Sequence, residues 1–361
     1  MRKISLLVGL AMLSTFAGKA QEGYQISGKV SGMTDGTLLL IGNEGEKLDT
    51  LGSVSVKNGV FVFTGKVAHP TAAYLTPSDG NGMIPLILEN ANFMVNVSDR
   101  GAMIQGGKQQ ELLTRFTRIS QAFMAEQAKV VAEAQQPGAN VQALQDHVNK
   151  AYELSVNATM ELIKANPDEY ATAYVIAAGI PRETEEGLRS KYEILGENAR
   201  ASVPGKQIEA ALKRLEGLAE GKKAPNFTLT KPDGNTFSLY DVPCKWKLLH
   251  FWAGSVFDSR RDNSELVKLY LQYRPRGLEI ISVSLDDNVN VWKQAIGLDG
   301  MIWTNGSDFK GRNSGVASLY MVRELPVYFI LDGENQIVAR DLSFTDLQEK
   351  LAKLTKKKRK K

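Results

Sequence analysis

One cysteine, Cys244, stands in a chain of 361 residues, so no disulfide can close within it. Histidine is nearly as scarce. His69, His147 and His250 are the only three, and they fall in different segments without a second ligand at metal-binding spacing. No Ser-His-Asp order accompanies a strand-to-helix elbow. The glycine-rich stretch Gly80-Asn81-Gly82 precedes a strand pattern and not a helix, which argues against a phosphate cradle there. The apolar run at residues 4–16 falls short of the ~20 residues that span a bilayer. No metal and no cofactor is expected from these residues.

Charge of one sign is also lacking where it would matter. The formal net charge is +4, from 44 basic and 40 acidic residues. Arg2, Lys3 and Lys19 sit at the start, and Lys356-Lys357-Lys358-Arg359-Lys360-Lys361 at the end. Without the first three the balance is +1, and without the tail as well it is about −5. The basicity therefore belongs to the two ends, and no nucleic-acid partner is expected for the body. The tail is expected to be solvated, with a weak contact to an anionic surface as the sharper reading.

What is present begins with a secretory pattern: a basic start, a short apolar run, and small residues at Ala17-Gly18-Lys19-Ala20. A signal peptide over residues 1–20, cleaved before Gln21, is the expectation. No cysteine follows the apolar run, so a lipoprotein is not expected. The mature chain is placed in the periplasm or cell envelope, with no stable membrane span after the signal is removed.

The remaining chain has globular proportions, 43% hydrophobic and 23% charged, and a length for two or three domains. Over residues 21–106, short alternating runs read as an N-terminal antiparallel β-sandwich or barrel. They include Tyr24-Gln-Ile-Ser-Gly-Lys-Val30, Gly59-Val-Phe-Val-Phe-Thr-Gly-Lys-Val67 and Ala91-Asn-Phe-Met-Val-Asn-Val-Ser98, with turn signals at Asp35-Gly36, Asn58-Gly59 and Asp79-Gly80. Over residues 107–217 the period changes to that of helices. Leu112, Phe116, Ile119, Phe123 and Val130 mark one stripe, and Val141, Leu144, Val148, Tyr152 and Ile163 another. Residues 218–355 alternate strand and helix: strands at 247–252 and 278–284, helices at 264–273 and 289–296, a hairpin across Asp332-Gly333-Glu334-Asn335, and a closing helix over 344–354. A β-α-β unit followed by a hairpin and a helix is the order of an α/β thioredoxin fold. Residues 356–361 form the basic tail.

Several motifs in this last part are similar to the thioredoxin-like TlpA/ResA type of the AhpC/TSA superfamily. They are Gly221-Lys-Lys-Ala-Pro-Asn-Phe-Thr-Leu229, Phe251-Trp252-Ala253, Val283-Ser284-Leu285-Asp286 with Trp292-Lys293, and Leu325-Pro326-Val-Tyr-Phe-Ile-Leu-Asp332. The N-terminal strands resemble a domain of unknown function that precedes thioredoxin-like domains in envelope proteins. The resemblance implies thiol–disulfide oxidoreductase chemistry at a Cys-x-x-Cys after Phe-Trp-Ala, and a cis-proline at Pro326. The sequence departs from the family at the reactive centre. Val256 stands at the attacking position and Ser259 at the resolving one. Exchange requires a thiolate, so the CxxC site is read as degenerate, with no catalytic residue.

Cys244 is read as a structural or incidental thiol, since eight residues of strand place it roughly 26 Å from Trp252, with a mixed disulfide to a partner as the other reading. His250, inside an apolar strand run, is read as a core residue. Ser255-Val-Phe-Asp258 has the spacing of a capping box, which would start the helix without thiols. Trp252, Phe257, Leu325 and Pro326, with Val256, are the candidate binding residues, expected to converge in an apolar patch. The leading reading is a non-catalytic module for an envelope protein or peptide. Two alternatives stay open: an oxidoreductase by family resemblance, acting through Cys244, and a glycan- or surface-binding protein through the N-terminal β domain.

Overall fold

The computed structural model describes residues 22–44, 47–99 and 101–356. The expected signal peptide and the basic tail beyond Lys356 lie outside the described residues. The chain divides into two compact units between Val175 and Ile176, and the helical stretch 107–217 contributes to both.

The first unit opens with eight strands: β1 (Tyr24–Val30), β2 (Asp35–Glu44), β3 (Lys47–Lys57), β4 (Val60–Gly65), β5 (Thr71–Pro77), β6 (Ile84–Leu88), β7 (Asn92–Ser98) and β8 (Gly101–Gln105). They form one barrel-like sheet in the order β6-β5-β2-β3-β4-β1-β7-β8. The pairing is antiparallel except between β1 and β7, which run parallel. Alternation decides which face is covered. In β4, Phe61 and Phe63 are buried while Val60 and Val62 are exposed, as a two-residue period requires. The turn into β4 places Asn58 at φ 51° and Gly59 at φ 75°, the paired positive angles of a tight hairpin. Strands β3, β5 and β8 were not legible as alternating runs.

Two long helices follow, α1 (Lys108–Ala134) and α2 (Val141–Ala165). The first turn of α1 is tied to the sheet, where the Ile87 amide donates to Gln110 Oε1 at 2.8 Å. The stripe read from the sequence is buried only at Leu112 and Phe116 in α1, and at Ile163 in α2. Further out the two helices have only each other to pack on: Phe123 and Tyr152 meet at 5.8 Å between ring centroids, yet Tyr152 stays 57% exposed. The division between the units falls inside α3 (Tyr170–Gly179). No described helix is long and apolar enough to cross a membrane.

The second unit continues with α4 (Glu185–Ile194), α5 (Glu197–Ala201) and α6 (Val203–Gly217), then a seven-stranded sheet. Its strands are β9 (Thr228–Thr230), β10 (Thr236–Ser238), β11 (Trp246–Trp252), β12 (Leu278–Ser284), β13 (Thr304–Ser307), β14 (Val327–Asp332) and β15 (Ile337–Arg340). The order is β10-β9-β13-β12-β11-β14-β15, with β11, β12 and β13 parallel and β14 antiparallel to β11. Helices α7 (Phe257–Tyr273), α8 (Val289–Asp299), α9 (Gly315–Leu319) and α10 (Phe344–Leu354) complete it.

The sheet is buried on both faces, which is why its central strands read as continuous apolar runs. Leu248, Trp252, Ile280 and Ile330 pack with residues of α7, α8 and α10 in one core. Leu249, Phe251, Ile281 and Phe329 pack with Phe227 and Tyr320 in the other. This is the expected thioredoxin-like domain. Helix α7 begins seven residues before the expected 264, because its first two turns bury Ser259, Asp262 and Asn263 and carry no apolar stripe.

Candidate functional site

The site lies where β11 ends and α7 begins. Trp252 closes the strand, and the Val256 amide donates to the Ala253 carbonyl at 3.1 Å to turn the chain. Val256 is then the N-cap residue, at φ −96° and ψ 118°, with no side chain capping the helix. The capping-box expectation is therefore corrected. Ser255 is exposed, and the helix starts one residue later than that motif needs, so Asp258 sits at the second helical position. There it pairs with Arg261 Nη1 at 2.6 Å, with a favourable charge for a helix start.

Other groups hold the turn. The Gly254 amide donates to both carboxylate oxygens of Asp286, at 2.8 and 3.1 Å. Ser284 Oγ donates to the same carboxylate at 2.8 Å. A Cβ at residue 254 would lie 3.0 Å from that of Ala295, so the close approach favours glycine. Arg260 grips Asp299 at the end of α8 with two bonds, Nε at 2.5 Å and Nη2 at 2.6 Å. Asn263 adds a third to that carboxylate at 2.8 Å. The turn and the start of α7 are thus fixed by Asp286 and Asp299. Asp286 lay within a quoted motif, and Asp299 gave no signal because its partner is 39 residues away.

The candidate binding residues are not all at the surface. Phe257 is 79% exposed. Val256, Leu325 and Pro326 are half-buried, and the Leu325–Pro326 bond is cis. Trp252 is fully buried in the α7–α8 core, which corrects its place in an apolar surface patch. As an inward residue of β11 it faces the helices, not solvent. Leu325 packs against the opposite core. Ser259 is fully buried, and its Oγ has no partner among the described residues.

His250 is a core residue, as expected. It is fully buried, with Nδ1 3.0 Å from Ser282 Oγ, and stacks on Tyr328 at 5.2 Å. Burial pushes its pKa down to about 3, so it is neutral at pH 7. Cys244 is half-buried, two residues before β11 and at the far end of that strand from Trp252. Burial pushes its thiol up to about 11, so it carries little thiolate at neutral pH. No cluster of His, Cys, Asp or Glu among the described residues could hold a metal ion.

Comparison with known proteins finds matches to both ends of the described chain. Residues 24–113 match a domain of unknown function, DUF4369, and residues 221–340 match the AhpC/TSA family. The thiol-disulfide oxidoreductase ResA of Bacillus anthracis is 28% identical over 123 residues, which is 34% of this chain and 69% of that protein. ResA of Bacillus subtilis is 26% identical over 126 residues, 34% of this chain and 67% of that protein. The structure of a thiol-disulfide oxidoreductase from Bacteroides fragilis is 31% identical and covers 37% of this chain and 99% of its own, with a TM-score of 0.35.

Proposed function

We propose that this chain, whose residues 221–340 form a thioredoxin-like domain of the AhpC/TSA family, is an exported envelope protein that binds a protein or peptide partner and performs no thiol–disulfide exchange. One observation carries the reading. The positions that would bear thiols hold a half-buried valine and a fully buried serine, while Phe257 between them projects into solvent. Exchange needs a thiolate on an accessible sulfur. Neither side chain supplies one, and Cys244 is remote and protonated.

The contact surface is reduced from the sequence reading to Phe257, Val256 and the segment at Leu325–Pro326. A residue before proline is held extended, which suits pairing of the backbone at Leu325 with an extended peptide. The experiment is capture of envelope proteins on the immobilised chain, comparing wild type with Phe257→Asp. Loss of a defined partner with an unchanged melting temperature supports the proposal. Identical capture by both forms sinks it.

A further inference from the structure

The outer parts of α1 and α2, residues 117–134 and 141–161, contain no buried residue. They pack antiparallel along one half-buried seam, with Ile119, Phe123 and Val130 on α1 and Leu144 and Val148 on α2. Two contacts mark the broad sides of this hairpin. Phe123 meets Tyr152 on one, and Glu126 Oε2 lies 3.1 Å from His147 Nε2 on the other. A turn of about 100° per residue places every other side chain relative to the seam.

The two sides differ in kind. Met124 and Val131 of α1, and Val141, Tyr152 and Val156 of α2, fall on the Phe123–Tyr152 side, each between 42% and 73% exposed. The remaining residues there carry no charge. Arg118, Lys129 and Glu133 of α1, with Lys150 and Glu161 of α2, turn to the Glu126–His147 side, and Asp146 and Glu153 stand at the outer margin. A helix face left to water normally carries the charged residues. Here one wet side has them and the other does not. The antiparallel pairing sets the five apolar residues in series, Val131 with Val141 nearest the connecting turn, Met124 beside Tyr152, then Val156. They extend over about 20 Å, and a contiguous exposed patch of this kind marks an interaction surface.

Size and charge point to one occupant. Residues 117–134 span about 27 Å, and two adjacent helices present a face about 20 Å wide. That is about 540 Å² on one hairpin and about 1,100 Å² on two, above the roughly 1,000 Å² that a specific interface needs. An uncharged face set against its own copy by a two-fold axis brings no like charges together. It also offers no charge by which a different protein would be selected. We propose that this face joins two copies of the chain, their α1–α2 hairpins packing as a four-helix bundle. The proposal does not rest on the function proposed above, whose residues belong to the second unit.

The test is sedimentation equilibrium of the full chain across micromolar concentrations, where the mass should rise to that of two chains. Met124→Lys with Val131→Lys puts like charges across the two-fold axis and is expected to weaken association by about tenfold or more. Leu154→Lys is the control, because Leu154 is 63% exposed on the charged side, and it should associate as the unmodified protein does. If the double variant loses its helical circular dichroism, hydrogen exchange of residues 117–134 and 141–161 in the unmodified protein is read instead. Protection there should increase with protein concentration. A monomer at every concentration, a folded double variant that associates unchanged, equal weakening by Leu154→Lys, or exchange independent of concentration each overturns the proposal. So does a monomer that co-sediments with phosphatidylcholine vesicles and loses them in the double variant, which assigns the face to a lipid surface.

Discussion

The carboxylate of Asp286 receives the backbone amide of Gly254 on both oxygens, at 2.8 and 3.1 Å. It does so while almost fully buried, at 6% exposure. This one contact ties the end of β12 to the turn between β11 and α7. Asp286→Asn keeps the shape but removes the charge and sets an amide group against the Gly254 N–H. Loss of a charge-assisted bond with a buried donor left unsatisfied is expected to cost about 2 kcal/mol. Urea unfolding followed by tryptophan fluorescence measures it, since all four tryptophans lie in the second unit. A variant as stable as wild type would show that the turn is held by something else.

On the proposed reading Val256 and Ser259 stand where thiols would be, so insulin reduction with dithiothreitol as donor should proceed at the background rate. Cys244→Ser should leave that rate unchanged, because burial holds the thiol pKa up at about 11. A rate well above background that disappears with Cys244→Ser would show that this cysteine is redox-active. In the opposite direction, Val256→Cys with Ser259→Cys should form an internal disulfide under oxidising conditions. Mass spectrometry after alkylation would count the free thiols, and two alkylated new cysteines would contradict the placement of these residues.

Phe257 is 79% exposed. Phe257→Asp should therefore move the melting temperature little, as surface changes usually stay within about 0.5 kcal/mol. A loss of several degrees would place Phe257 in the core and remove it from the contact surface.

His250 gives the second unit a pH dependence of known sign. Its pKa falls from 6.5 to about 3 through burial, so the unfolded chain binds the proton first. The stabilisation is fully present above pH 6.5 and is lost as pH falls toward 3. Within that window each pH unit costs about 1.4 kcal/mol for this one proton. His250→Phe, which can stack with Trp252 and Tyr328, should flatten the slope of unfolding free energy between pH 7 and 5 by about one proton. An identical slope in both proteins would show that other groups set the acid sensitivity.

Trp252 shows where sequence reading stops. The run Lys247-Leu-Leu-His-Phe-Trp252 identifies a buried strand, and the two-residue period splits it into opposite faces. Which face each residue takes depends on what covers the sheet. Helices α7 and α8 cover the side of Trp252, so an aromatic beside the degenerate motif is core and not surface. The capping box failed for a similar reason. Its spacing is local, but the true cap is set one residue later, with Asp286 and Asp299 fixing the turn and the start of α7 from 32 and 39 residues away.

The short strands β9, β10 and β13 gave no periodic signal, because three or four residues, Thr-Leu-Thr, Thr-Phe-Ser and Thr-Asn-Gly-Ser, are too few to show a period and become strands by pairing with β12 and one another. The sequence by itself determined the β-rich start, the two long helices, the order of the thioredoxin-like elements and the presence of a single cysteine. These follow from local periodicity, turn chemistry and residue identity. Only the tertiary structure decided that Ser259 is buried and Phe257 exposed, that His250 is silenced, and that two guanidinium nitrogens of Arg323 are buried without an acceptor among the described residues. Burial and pairing are properties of what packs against a residue, and for each of these the neighbours come from distant parts of the chain.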